Sequence, residues 1–144
     1  MSKALNYLGI ARKSGGMETG EDNSSGLVKT GKARVLIVAS DTSDGAKRRA
    51  EGYVFETNTV LVEVPFTKDE ISSISGKSGC SMAAITDLGL AAAFLKALAQ
   101  ENGEKYSEAY ERIEAQRQRI EKRKAGKASP ERGSKTGIRR KKSV

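Results

Sequence analysis

The sequence predicts an α/β protein: a three-layer α/β/α sandwich around a small mixed sheet of about four strands, with a C-terminal helical extension and a basic tail. Three observations predict it. Short β-branched runs alternate with segments of helical period, the pattern of sheet strands joined by covering helices. The run Val35-Leu36-Ile37-Val38-Ala39 is apolar throughout, as in a strand covered on both faces. Apolar residues concentrate before residue 100, whereas cations concentrate at the end of the chain.

The elements follow in order. Leu5, Leu8 and Ala11 recur at helical spacing over residues 2–14, and Gly15-Gly16 ends that helix. Met17 to Thr19 is a short extended piece. Gly20 to Thr30 is a second helix, weakened by glycine and closed by Gly31. After the strand at 35–39, Thr42, Ser43 and Asp44 offer caps for a helix over about 44–55. Val60 to Val64 is a strand stopped by Pro65. Thr67 and Glu70 have capping-box spacing and open a short helix to Ser75. Ser81 to Thr86 is another strand. Asp87 precedes an apolar helix carrying Leu88, Leu90, Phe94, Leu95 and Leu98. The alternation of strand and helix implies parallel neighbours and right-handed crossovers. Gly103 marks a break, giving a domain over 1–101. Residues 102–124 form a charged helical extension in which Tyr106, Tyr110, Ile113 and Ile120 make a narrow stripe. From Ala125 the chain is rich in Lys, Arg, Gly and Ser, so 125–144 is expected to be a disordered basic tail.

The formal charge is +8, but residues 122–144 hold ten Lys/Arg against the single acid Glu131. Of the 26 basic and 18 acidic residues in the chain, 16 and 17 remain in residues 1–121. The body is near neutral and the tail carries the excess, which points the tail at phosphate. With one cysteine, Cys80, no intramolecular disulfide can form, as in a reducing compartment. Met1 to Gly15 lacks the apolar region of a signal peptide. The apolar stretch Leu88 to Leu95 is far shorter than the roughly 20 residues that span a bilayer. A cytoplasmic protein without a membrane partner is expected.

Catalytic chemistry is sparse. The chain has no histidine, so the commonest general base is missing. It has no CxxC pair and no cluster of metal ligands. Gly76-Lys77-Ser78 resembles the end of a phosphate-binding loop, but Ile71 stands where the first glycine belongs and a strand follows instead of a helix. A helix C-cap is the simpler reading of Gly76. Cys80 reads as a small packing residue, with Lys77 alone nearby to activate a thiol. The expectation is a protein that is no enzyme and holds no cofactor.

Several runs are shared with a known family. Leu8-Gly9-Ile10-Ala11-Arg12-Lys13-Ser14-Gly15-Gly16, followed by Gly20-Glu21, resembles the opening of bacterial YlxQ-type proteins. Lys32 to Ser43 is similar to their first long strand and acidic turn, and Gly76-Lys77 with Ala84-Ile85-Thr86-Asp87 to their last loop and strand. These proteins belong to the ribosomal L-seven-Ae and L-thirty-e superfamily, whose members bind kink-turn RNA. The resemblance spans residues 3–99 and implies an α/β/α sandwich that binds structured RNA, with the ribosome as a possible host. It also implies a site at a helix N-terminus reading Gly, a variable residue, Asn, Glu, two more residues, then Lys. Counting back from Gly31 puts the first position at Gly20. Asp22 then stands where Asn is typical, Asn23 where Glu is typical, and Gly26 where Lys is typical. Ionised Asp22 only accepts hydrogen bonds, whereas Asn both donates and accepts. Lys29 lies one turn beyond the missing Lys. The family's second contact, a loop before the last strand, corresponds to Ser78-Gly79-Cys80-Ser81, with Cys80 where a basic residue is common.

The candidate RNA-contacting residues are therefore Gly20, Glu21, Asp22, Asn23, Lys29, Lys32, Lys77, Ser78, Gly79 and Cys80. The clusters Lys122-Arg123-Lys124 and Arg139-Arg140-Lys141-Lys142 join them as counterion-releasing contacts. The plain alternative for Gly20 to Asn23 is an ordinary helix start in which Glu21 and Asp22 favour the positive end of the dipole. Lys47-Arg48-Arg49 reads as a solvated face. Two other functions fit the chain. One is a protein-interaction module that kept the fold and lost the RNA site, its partner bound through residues 104–124. The other is an accessory to an RNA-processing enzyme.

Overall fold

The computed structural model describes residues 3–76 and 81–128, with the backbone alone at 75 and 124–128. The chain forms two compact units, Met1–Glu114 and Ala115–Val144. In the first, α1 (Lys3–Ser14) leads through Gly15, at φ 81°, into β1 (Met17–Thr19). Then come α2 (Glu21–Lys29), β2 (Val35–Val38), α3 (Asp44–Val54), β3 (Val60–Glu63), α4 (Lys68–Ser75), β4 (Met82–Ile85) and α5 (Leu88–Glu101). The final helix, α6 (Gly103–Ala128), begins in the first unit. Each expected element is present, with ends displaced by one or two residues. The exception is the C-terminal helix, whose backbone runs to Ala128 and so takes in residues 125–128 of the segment expected as tail. Ala125, Lys127 and Ala128 are good helix formers and extend it.

The sheet has the order β1-β4-β2-β3. β2 and β3 are parallel, Val35 facing Val60 and Val38 facing Glu63, as the strand-helix-strand alternation implies. β4 departs from that expectation. It lies antiparallel between β2 and β1, with Val38 opposite Met82 and Thr19 opposite Ala83. The reason lies in the short α4. Its C-cap Gly76 takes the left-handed conformation at φ 76°, which turns the chain after about two helical turns. β4 therefore enters the sheet from the end at which β3 left it.

The central strands β2 and β4 are buried at all four positions, which accounts for their unbroken apolar runs. One face of the sheet packs Val35, Ile37, Val60, Val62 and Ile85 against Leu5 and Leu8 of α1, Ile71 of α4, and Phe94, Leu95 and Leu98 of α5. Tyr106 and Ile113 of α6 are buried in the same core. Tyr110 packs against it partly buried, so three of the four residues of the apolar stripe of the C-terminal helix pack on their own domain. The opposite face packs Leu36, Val38, Met82 and Ala84 against Val28 of α2 and Ala46 and Ala50 of α3. Alanines on α3 let that helix approach closely, and each large side chain so buried contributes roughly 1.5–3 kcal/mol.

Candidate nucleic-acid interface

β1, β2 and β3 point the same way and β4 opposes them, so the C-terminal ends of three strands and the N-terminal end of the fourth share one edge of the sheet. Three helices begin there, each with backbone N–H groups that need acceptors. In α3 the N-cap Ser43 accepts from Ala46 N at 3.2 Å. In α4, Thr67 and Glu70 close the expected capping box, and Asp41 accepts from Lys68 N at 2.8 Å. The third helix, α2, has Gly20 as its N-cap and receives no side-chain cap. Among the described residues no side chain caps its first-turn N–H groups, and the dipole adds positive potential there.

Gly20 is required by its backbone. It sits at φ 100° and ψ 148°, a conformation open essentially to glycine. Its N–H donates to Met82 O at 2.9 Å, so β4 sets where α2 begins. Asn23 Nδ2 donates to Thr19 O at 3.1 Å, folding its amide back onto β1. Asp22 is exposed. Glu21 is held from a third side. Arg49 of α3 donates from Nε at 2.7 Å and from Nη2 at 3.0 Å to its two carboxylate oxygens, and the Tyr53 hydroxyl donates to Oε2 at 2.5 Å. These donors bring the Glu21 pKa down from the ordinary 4.5 to about 2. The Arg49 and Tyr53 pKa values both rise, chiefly through the same hydrogen bonds.

The structure gathers some of the expected residues and separates others. Gly20, Glu21, Asp22 and Asn23 form the first turn of α2. Lys77, Ser78, Gly79 and Cys80 lie outside the described residues, but Ser81 beside them is at the same edge, its carbonyl accepting from Ala39 N at 3.0 Å and Thr42 Oγ1 at 3.3 Å. Lys29 is in the last turn of α2, about 12 Å along the helix axis from Glu21. Lys32 is beyond it, beside Arg34, Glu18 and Thr86 in a shallow pocket at the opposite end of the sheet. In the second unit, Lys122 and Arg123 are exposed on α6, the backbone of Lys124 is helical, and Arg139, Arg140, Lys141 and Lys142 lie outside the described residues.

Of the basic run on α3, Arg49 is engaged as above and Lys47 bridges to Glu63 of β3 at 3.2 Å, leaving Arg48 exposed. The run reads in the sequence as a solvated face, and the partners of Arg49 and Lys47 lie on elements far away in the chain. The available signal was the spacing of Arg49 and Tyr53, four residues apart and so on one helical face. Among the described residues no group of His, Cys, Asp or Glu is arranged to hold a metal ion, and no helix is long and apolar enough to cross a membrane.

No family model matches the chain. Among curated proteins, RNA-binding protein YlxQ of Enterococcus faecium is 30% identical over 79 residues, covering 52% of this chain and 72% of that protein. The chain belongs to the YlxQ family. Solved structures agree on the fold. A Bacillus halodurans protein of unknown function superposes with a TM-score of 0.64 at 19% identity, covering 68% of this chain and 98% of that one. A Giardia lamblia 15.5 kD RNA-binding protein does so at 0.53 and 18% identity, covering 72% and 84%.

Proposed function

We propose that this YlxQ-family chain is a non-enzymatic RNA-binding protein that recognises kink-turn or similarly bent RNA, in the cytoplasm and in association with the ribosome. The observation that carries the reading is the uncapped N-terminus of α2, which presents backbone donors at an edge where the neighbouring helix starts are closed by their own side chains. The name of the Enterococcus faecium relative supports an RNA ligand.

In this reading residues 1–101 supply shape recognition. The first turn of α2 offers N–H donors to base edges. Asp22 cannot donate, so backbone groups carry more of the recognition than in relatives with Asn there. The charged helix α6 forms the extension, and the basic residues that follow Ala128 act as the tail. Lys122, Arg123, Lys124 and Arg139 to Lys142 add affinity for phosphate without sequence preference.

The test is binding of a kink-turn duplex at low ionic strength, beside a duplex whose sheared G·A pairs are replaced. Tighter binding of the kink-turn supports the reading. Equal binding removes the kink-turn specificity, and no binding of either removes RNA as the ligand.

A further inference from the structure

α2 is poorly equipped to hold its own first turn. Its sequence, Glu-Asp-Asn-Ser-Ser-Gly-Leu-Val-Lys, is built largely from weak helix formers, and its N-cap has no side chain. The turn is nonetheless anchored to three different elements. The Gly20 N–H binds β4, the Asn23 amide binds β1, and the Glu21 carboxylate takes the two-pronged guanidinium of Arg49 and the hydroxyl of Tyr53 on α3. The last is the strongest kind of these contacts: a planar fork on a carboxylate, with a third donor. It resists rotation of α2 about its axis, and so holds the N–H groups of Asp22 and Asn23 at one place on the edge.

We infer that Glu21, Arg49 and Tyr53 form a positioning clamp for the RNA-binding edge, in which the carboxylate touches no RNA and Arg49 supplies no phosphate contact. This rests on the proposed RNA function. It assigns Glu21 a role different from the direct RNA contact for which the sequence made it a candidate, because both of its oxygens are already engaged.

The clamp makes a prediction opposite in sign to simple electrostatics. An acid beside RNA repels phosphate, so its neutralisation should tighten binding. If Glu21 instead orients the donors of α2, Glu21→Gln keeps the side-chain shape, gives up the charge-assisted fork, and weakens binding. The loss expected is about tenfold, the scale of a broken hydrogen bond to a charged group. Arg49→Met should weaken binding similarly while leaving the slope of log K against log salt unchanged, whereas loss of a phosphate contact lowers that slope by about one. Tyr53→Phe removes one donor and should have a smaller effect in the same direction.

The experiment uses the full chain and the kink-turn duplex, with a salt titration for each variant at a temperature well below its unfolding midpoint. Weaker binding by Glu21→Gln with an unchanged slope for Arg49→Met supports the clamp. Wild-type binding that is equalled or exceeded by Glu21→Gln overturns it, as does a lowered slope for Arg49→Met. If Arg49→Met does not fold, the decision falls to Glu21→Gln and Tyr53→Phe, and unchanged binding in both overturns the clamp. Absence of wild-type binding overturns the RNA function and the clamp together, so the two failures are distinct.

Discussion

At Gly20 the backbone asks for something that no other residue supplies at low cost. A side chain there would meet no neighbour within 4 Å, so space is not the constraint. The constraint is the positive φ alone, and Gly20→Ala is expected to cost about 1–3 kcal/mol, read as a lowered midpoint in urea. Glu21 makes a prediction in pH. Its folded pKa of about 2 lies below the ordinary 4.5, so the folded state binds a proton less readily than the unfolded chain. The stability from the clamp is therefore complete above pH 4.5 and is lost as pH falls through about 2. Wild type should lose its advantage over Glu21→Gln across that window in acid unfolding. An identical pH dependence in the two proteins would show that the clamp contributes nothing to stability. Gly20 was placed by the family resemblance, counting back from Gly31, and a helix start is a local feature that such a match can carry. The partner of Glu21 was not, since Arg49 is 28 residues away and nothing local links them.

Among the elements, α2 and α6 invite change. Gly26 is exposed, with nothing within 4 Å of where a side chain would go, and the family resemblance expects a Lys there. Gly26→Lys is expected to stabilise the protein by about 0.5–1 kcal/mol through helix propensity. If the RNA reading holds, it also tightens RNA binding and steepens the salt slope by about 0.7–0.9. Thermal unfolding and a salt titration check the two parts separately. In α6, the Tyr106 hydroxyl donates to the carbonyl of Glu63 at 2.8 Å, on the edge strand β3. Burial, then the charges of Glu63 and Glu101, push its pKa up to about 12, so it stays protonated and remains a donor through the neutral range. Tyr106→Phe keeps the packing and removes that bond. It should cost about 0.5–1.5 kcal/mol in urea unfolding. The Tyr/Ile stripe was visible in the sequence, but a stripe does not say whether it faces its own domain or another molecule. Near-complete burial of Tyr106 and Ile113 answers that for the first unit.

Over the whole molecule, the division of charge is the strongest functional lever. A chain ending at Glu121 loses ten cations and one acid and becomes slightly acidic overall. Its affinity for structured RNA should fall, and log K should depend less steeply on log salt. Equal affinity and slope in the two chains would remove the basic segment from the binding account. If the proposed kink-turn reading holds, that preference should survive the truncation, because the proposal places it at the edge built by β1, α2 and β4.

Strand runs, helix caps such as Thr67 with Glu70, the glycine that opens α2, and the segregation of cations were readable from neighbouring residues, since period, capping and charge act over a few positions. The direction of β4, the placing of α2 and α3 on one face of the sheet, and the joining of Glu21 to Arg49 and Tyr53 were not. Those depend on contacts between residues far apart in the chain, and many pairings are compatible with one local pattern until the shared core selects among them. The residue types of the first turn of α2 are thus local information, while the orientation of that turn arises from its contacts with β4 and α3.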